Sequence, residues 1–349
     1  MFLKAKAKID FLTYRLATLS RAFKTLYAMS PDRADAFVKA FKIYDYDWAD
    51  EKQLIAEWGP DYYQKIKQQL IEWYSVLNHL CALGQVEKMY IPPAIDLSKN
   101  LIENQILFEK RLSRDLKLKK GDRALDIGCG RGRVAAHIAS STGSHITGLN
   151  IDSSQLEAAR IYARAKGMAC EYIQGDLNDL PLPFADNSLD AVYHIQVFTY
   201  SKDMSKLMKE IYRVLKPGGR FGCLDWVSLP DYNPKNPHHA QLMQKVKPLI
   251  GAIGTLSPAE YTGKIKQAGF EMVVDENASI DGLTYPLIDR ADKFFNRLTR
   301  VVRGLVRCKI LPRHFNTLLE RFIMDGQAFV EADKMRLMTT SYYMVGEKK

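Results

Sequence analysis

The sequence predicts an α/β protein: a doubly wound, mostly parallel sheet of seven strands, preceded by a helical region and interrupted by helical insertions. Three observations carry this. Between about 117 and 228, short apolar runs alternate with helix-period segments, as in a parallel sheet covered on both faces. One of those runs, Arg123-Ala-Leu-Asp-Ile127, breaks at once into glycines at 128, 130 and 132 and then into a helical segment. A third signal is Lys216-Pro-Gly-Gly219, a turn that ends a helical stretch and feeds an extended one.

Residues 1–115 read as helical and as a lid. Apolar residues Ile9, Leu12, Leu16, Leu19, Phe23 and Leu26 recur at spacings of three and four. Ser30-Pro31-Asp32 starts a second helix, and Trp58-Gly59-Pro60 breaks the pattern before a long helix from Asp61 to about Leu83. Tyr90-Ile-Pro-Pro93 is an irregular link, followed by a helix from Leu97 to about Leu116. Residues 116–228 read as the ligand-binding α/β core. Its strands are Arg123–Ile127, Ser144–Leu149, Cys170–Gln174, Leu189–Ile195 and Arg220–Asp225, and Ser153–Lys166 and Met204–Leu215 are helices between them. Residues 229–349 complete the core. Ser257-Pro-Ala-Glu260 is a capping box, and strands follow at Phe270–Val274 and Met338–Val345. The apolar insertions at about 229–256 and 282–335 are read as substrate-cap pieces over the carboxyl ends of the strands.

The bulk properties narrow the class. A chain of 349 residues, 47% hydrophobic, can bury one large core or a core with a cap. No run approaches the roughly 20 apolar residues of a membrane span, and MFLKAKAKID lacks the apolar core and cleavage site of a secretory signal. The five cysteines are scattered without a C-x-x-C pair, which argues for a reducing, cytoplasmic setting and against a zinc site. The formal charge of +10 is concentrated in two amphipathic stripes. Lys4, Lys6, Lys8, Arg15, Arg21 and Lys24 flank the first. Arg290, Lys293, Arg297, Arg300, Arg303 and Arg307 flank the second, whose apolar residues include Leu287, Phe294, Leu298, Val301 and Leu305. Each is either a helix docked on its own core or, through residues 1–29 and 285–313, a contact with an anionic membrane surface. No exposed-aromatic interleaving or RNA-binding signature points to nucleic acid. Self-association is left open.

The glycine-rich turn says more about chemistry. A strand that bends through glycines into a helix leaves backbone N–H groups uncovered, so a nucleotide-like ligand can lie on the main chain. A dinucleotide loop wants G-x-G-x-x-G with its acid about 20 residues further on. Here the pattern is G-x-G-x-G, the second strand ends in Asn150, and the acid, Asp126, sits inside the motif. A carboxylate there repels a pyrophosphate and suits an ammonium, such as the amino-acid end of S-adenosylmethionine. A tight turn with no ligand is the plain alternative.

Other candidates fall at successive strand ends. Asn150 suits ribose hydroxyls, Asp176 an adenine amino group, and Leu177 the ring face. Cys129 lies within the loop and Gln155 just beyond the second strand. His194 and Gln196 end the fourth strand. Asp176 as a turn cap and His194 as a packed histidine are the bland alternatives.

These segments resemble the S-adenosylmethionine-dependent methyltransferases of the doubly wound, class I type: LDIGCGRG, TGLNIDSSQLEAAR, GDLNDLPLPFADNSLDAVY and EIYRVLKPGGRF. Within that group the chain is most similar to the sterol 24-C-methyltransferases and their relatives, through Gly148-Leu-Asn150, Glu210 to Gly219, Asp225-Trp-Val227, YNPKNPHH from Tyr232 to His239 and Ala268-Gly-Phe270. The likeness covers about residues 105–275. It implies S-adenosylmethionine as methyl donor, held by Asp126, Gly128, Cys129, Gly130, Asn150, Gln155, Asp176, Leu177 and Gln196. It implies C-methylation of a hydrophobic small molecule, a sterol or isoprenoid lipid. Two departures concern the acceptor: sterol enzymes of the family carry a glutamate just after the fourth strand and a histidine four residues later, where this chain has Gln196 and Tyr200; their aromatic, glycine-containing segment ahead of the loop has no intact counterpart.

Methyl transfer to an alkene carbon creates a carbocation, which aromatic faces stabilise and a base deprotonates. Tyr193, Tyr200 and Trp226 are the expected walls, and His194 or Asp225 the expected base, with Gln196 beside them. An N- or O-methyltransferase of a natural product, in which these residues only orient the acceptor, is the alternative. A donor-binding interaction protein without catalysis ranks below both.

Overall fold

The computed structural model describes residues 16–46, 51–83, 87–254, 256–323 and 326–349; the first fifteen residues of the basic N-terminal stripe lie outside that set. Ahead of the sheet run α1 (16–27), α2 (Pro31–Lys39), α3 (Glu51–Trp58) and α4 (Tyr62–Leu83). Ser30 caps α2 by accepting from the Arg33 amide, with Pro31 in the first turn, as the local residues require. In α4, Ile66, Leu70, Trp73, Leu77 and Leu80 recur at three and four and form one buried stripe. Their partners are Phe37, Phe41 and Tyr44, whose rings lie 5.6–6.5 Å from that of Trp73. The cap therefore has a core of its own.

After an extended strap comes α5 (Leu101–Asp115), four residues shorter at its start than the sequence suggests. Asn100 and Glu103 form a reciprocal capping box there, which stops the helix from extending back to Leu97. The strands are β1 (Arg123–Ile127), β2 (His145–Asn150), β3 (Cys170–Gln174), β4 (Leu189–Ile195), β5 (Leu215–Ser228), β6 (Glu271–Asn277) and β7 (Met338–Glu347). They form one sheet ordered β3-β2-β1-β4-β5-β7-β6. The first five are parallel, and β7 runs antiparallel between β5 and β6. The chain moves outward from β1 to β3 and returns on the other side as β4, so the crevice opens between β1 and β4.

One face of the sheet is covered by α5, α6 (Arg133–Thr142) and α7 (Ser153–Lys166), through Phe108, Leu112, Ile138 and Ala159. The other is covered by α8 (Met204–Val214) and, after α9 (Pro237–Ile250), by α10 (Pro258–Gln267). The turn expected at Lys216–Gly219 is present inside β5. Leu215 faces Leu189 and Arg220 faces Ala191, so the four residues between them bulge out of the ladder.

The insertions hold α9, α11 (Tyr285–Arg307), α12 (His314–Ile323) and α13 (Gly326–Lys334). Ile253, Val306, Leu311, Phe315 and Leu318 join the core of α1–α4, and α9 and α13 enclose Trp226 with Met243, Val246 and Phe329. These helices brace the N-terminal cap from behind.

Candidate active site

At the end of β1 the chain turns through Gly128, Gly130 and Gly132, each with a positive φ of 51–70°. A Cβ on Gly128 would lie 2.5 Å from a methyl of Val197, which closes the turn from the β4 side; no other residue fits. Asp126 precedes this turn and is 3% exposed. Its Oδ2 has no hydrogen-bond partner among the described residues. Burial pushes its carboxyl well above the usual range, against a small pull from the nearby Tyr193 hydroxyl. A buried acid without a counter-charge, beside uncovered loop amides, is a receptor for a cation carried on a nucleotide-like body.

The cavity over this turn is lined by Asp126, Gly128, Cys129, Gly130, Asn150, Gln155, Asp176, Leu177, Gln196 and Tyr200, so the expected donor residues come together. Asn150 Nδ2 donates to Gln155 Oε1 (2.7 Å), and Gln155 Nε2 donates to Asn78 Oδ1 of α4 (3.1 Å). The Cys129 thiol is buried, which pushes its pKa up and keeps it protonated.

Asp176 departs from its expected role. Its Oδ2 accepts from the Tyr63 hydroxyl (2.7 Å) and faces Lys67 Nζ (3.0 Å). Its Oδ1 accepts from the Asn178 amide (2.9 Å) and Asn178 Nδ2 (3.1 Å). Burial opposes ionisation, but these donors hold the carboxyl below the usual range. With four donors engaged, Asp176 ties α4 to the sheet; an adenine amino group would have to displace one of them.

The sequence reading made residues 1–115 a lid but assigned none of its residues to the site. Tyr63, Lys67, Leu70 and Tyr74 of α4 line the cavity, as do Glu87 to Tyr90 of the strap. The only sequence signal was a pair of aromatic doublets, Tyr62-Tyr63 and Trp73-Tyr74, on a helix whose inward face periodicity cannot choose. Among the described residues, none from the insertions lines the cavity.

Three expected catalytic residues do not reach it. Side chains alternate along a strand, and on β4 Tyr193 and Ile195 face one side while His194 faces the other. His194 is fully buried, stacked 3.5 Å from the ring of Phe198, and burial pushes its pKa well down. The Tyr261 hydroxyl contacts His194 Nε2 (3.2 Å) and donates to Asp225 Oδ2 (2.9 Å). Asp225 also accepts from the Trp226 and Phe198 amides at 2.9 and 3.2 Å, and burial pushes its carboxyl up to about 7. Trp226 belongs to the core between α9 and α13. The reading of these three as groups facing the donor cavity is therefore corrected: His194 and Asp225, expected as base, are packed behind the sheet, and Trp226, expected as wall, is packed between α9 and α13. Tyr193 is likewise buried in the core. Gln196 lines the cavity, but its amide is engaged with backbone, as described below. Of the expected walls, Tyr200 alone stays, its hydroxyl 3.1 Å from that of Tyr44 and 3.2 Å from that of Tyr74.

S-adenosylmethionine fits what is present. The unpartnered Asp126 carboxylate would receive its ammonium, and the glycine turn leaves room for its body against the main chain. Residues 125–223 match the family model described as a methyltransferase domain. A sterol 24-C-methyltransferase of Gibberella zeae is 31% identical over 263 residues, covering 69% of this chain and 69% of that protein. Squalene methyltransferase 1 of Botryococcus braunii is 32% identical over 259 residues, covering 70% and 66%. The crystal structure of the [4+2]-cyclase SpnF superposes with a TM-score of 0.62 over 81% of this chain and 96% of that one, at 21% identity, a likeness of fold. Sheet order, glycine turn, buried acid and these matches define an S-adenosylmethionine-dependent methyltransferase. The chain belongs to the sterol 24-C-methyltransferase family.

Asp126→Asn keeps the shape and removes the charge, so donor binding should be lost by calorimetry. Stability should move the other way. The folded carboxyl holds its proton above the unfolded value of about 3.9, so ionisation costs the folded state stability as pH rises past that value. Ligand-free Asp126→Asn should therefore melt above wild type at neutral pH, with the gap closing toward pH 4; a gap independent of pH would refute this account.

Proposed function

We propose that this enzyme places a methyl group on an alkene carbon of a sterol or other isoprenoid lipid. The observation that carries the proposal is the wall of neutral aromatics beside the donor turn. Tyr74 and Tyr200 line the cavity, with Tyr44 and Trp73 directly behind them. Burial pushes the Tyr44, Tyr74 and Tyr200 hydroxyls well up, so all three stay uncharged. Such a wall has little acid–base power and suits a cation on carbon.

The bound donor supplies an electrophilic methyl group. Asp126 and the loop amides hold and orient the donor, while Ile195 and Val197 back it from β4. The roof of α4 and the strap excludes water, which would otherwise capture the cation left on the acceptor when its π bond attacks. The faces of Tyr74 and Tyr200 stabilise that cation. It is discharged by losing a proton to the ionised carboxylate of Asp176 in the cavity lining, since the neutral tyrosine hydroxyls are too weakly basic to keep it and His194 and Asp225 lie on the far side of β4.

A second part of the proposal concerns where the acceptor is met. On α11, Phe294 and Val301 are each 59% exposed, and Ile310 just beyond is 58% exposed. Phe294 and Val301 lie seven residues apart on one helix face, among exposed Arg290, Arg297 and Arg300. Phe23, 42% exposed, packs 6.4 Å from the ring of Phe315 and brings α1 toward the same region. Arginines interspersed with exposed apolar residues suit an anionic lipid surface. Among the described residues, no helix is long and apolar enough to cross a membrane.

Incubation with labelled donor and fractionated lipids tests the acceptor: label on carbon of an isoprenoid is expected, and label on nitrogen or oxygen would overturn the proposal. Tyr200→Leu, which removes the ring face, should lower kcat about tenfold with donor affinity unchanged; Tyr200→Phe, which keeps the face, should lower it less. For the membrane contact, Phe294→Glu with Ile310→Glu should abolish co-sedimentation with phosphatidylserine vesicles, and wild-type binding should weaken with salt. Equal sedimentation of the double variant would reject the surface.

A further inference from the structure

The strap that closes the donor cavity, Glu87 to Ile91, has an unusual means of attachment. Its backbone is held by two glutamine side chains. Gln105 of α5 donates Nε2 to the carbonyls of Lys88 (3.2 Å) and Tyr90 (2.9 Å). Gln196, just past β4, engages Ile91 from both sides: its Oε1 accepts from the Ile91 amide (3.1 Å) and its Nε2 donates to the Ile91 carbonyl (2.8 Å). The second Nε2 hydrogen goes to the carbonyl of Thr340 on β7 (3.0 Å), where the β5–β7 register shifts between Asp225 and Val227.

Gln196 is itself held in the left-handed region, at φ 55°, a conformation a non-glycine residue keeps only when its surroundings require it. Its amide thus makes three hydrogen bonds to main chain: two on the strap and one on the sheet. Only a neutral primary amide of this length accepts one and donates two in that arrangement. A carboxylate would lose both donors and turn its charge on two carbonyl oxygens. The strap's side chains add weight: Lys88 Nζ (2.6 Å) and the Tyr90 hydroxyl (2.8 Å) both reach the buried Glu109, which His137 also contacts. That anchor sits on α5, whereas Gln196 supplies the attachment at the crevice.

We infer that Gln196 is a positioning residue, a latch that pins the strap across the mouth of the donor cavity and sets how fast donor and product exchange. The inference rests on reading the cavity as the donor site. It removes Gln196 from the reacting atoms and from direct contact with the donor through its side chain. Because the strap's backbone from Lys88 to Ile91 is bonded to side chains, releasing two amides loosens that backbone, with Lys88 and Tyr90 still on Glu109, without opening the sheet or unwinding a helix.

The test compares Gln196→Glu with Gln105→Ala, which weakens the same strap from α5, outside the cavity lining. In ligand-free protein, hydrogen exchange at residues 88–91 should speed up in both variants, while exchange in β1 and β4 stays as in wild type. The dissociation rate of S-adenosylhomocysteine should rise about tenfold or more in both. Single-turnover methyl transfer at saturating donor should stay close to the wild-type rate in Gln105→Ala, whose residue lies outside the cavity lining. Unchanged exchange at 88–91 in Gln196→Glu would overturn the latch. So would a Gln196→Glu enzyme whose transfer step is slowed at saturating donor while its product release is normal, since that places Gln196 in the reaction. Faster exchange in both variants, in a protein to which S-adenosylhomocysteine does not bind, would uphold the latch and sink the donor reading.

Discussion

One buried carboxylate organises this molecule. Asp126 stands one residue before the end of β1, out of water, with an oxygen that nothing in the described chain satisfies. A domain is stable by only about 5–15 kcal/mol, so an uncompensated acid in its core is a significant cost. It is a cost that a ligand bringing a positive charge would offset. Everything around it follows from that placement. The turn after it must be glycine because Val197 presses on it from the neighbouring strand. That neighbour is β4 because the chain reverses its strand order there, and the reversal leaves the crevice in which a donor can lie.

The roof solves a different problem. A reaction that passes through a cation on carbon, as proposed, needs an enclosure that keeps water out, and an open parallel sheet provides none. Here α4 crosses above the crevice, tied by Tyr63 and Lys67 to Asp176 and by Asn78 to Gln155. Its far side is buried against the aromatic core of α2 and the following turn, braced in turn by α12. The strap completes the roof on the other side. Rigid parts carry the donor site, and a segment held by side chains closes it. This division suits an enzyme that must admit both a polar donor and an apolar acceptor.

The polar residues at the ends of β4 and β5 show how a strand can mislead. His194, Asp225 and Trp226 stand at strand ends, where a catalytic group is expected, and their types suit the chemistry. A shift of one residue changes the face, however, and a run buried on both sides, such as Leu189 to Ile195, has no polar–apolar alternation to reveal which face is which. His194 and Asp225, with Tyr261, form a hydrogen-bonded group behind the sheet. It holds the Phe198 amide, and so supports the turn that carries Tyr200.

The residues of the donor turn were legible because they act locally: a strand, three glycines and an acid lie within ten positions, and backbone sterics dictate their shape wherever they occur. The same holds for the caps at Ser30 and Ser257 and for the seven strands, whose runs are short and apolar. What the sequence determined alone was thus the sheet, the methyl donor and the acid at the glycine turn. Which residues of the lid face the cavity, and that Tyr74 stands beside Tyr200 there, came only from tertiary structure. Tyr63 meets Asp176, Tyr74 meets Tyr200, Ile91 meets Gln196 and Tyr90 meets Gln105 across 15 to 126 positions of chain, and no local spacing encodes which faces meet. Packing made that choice.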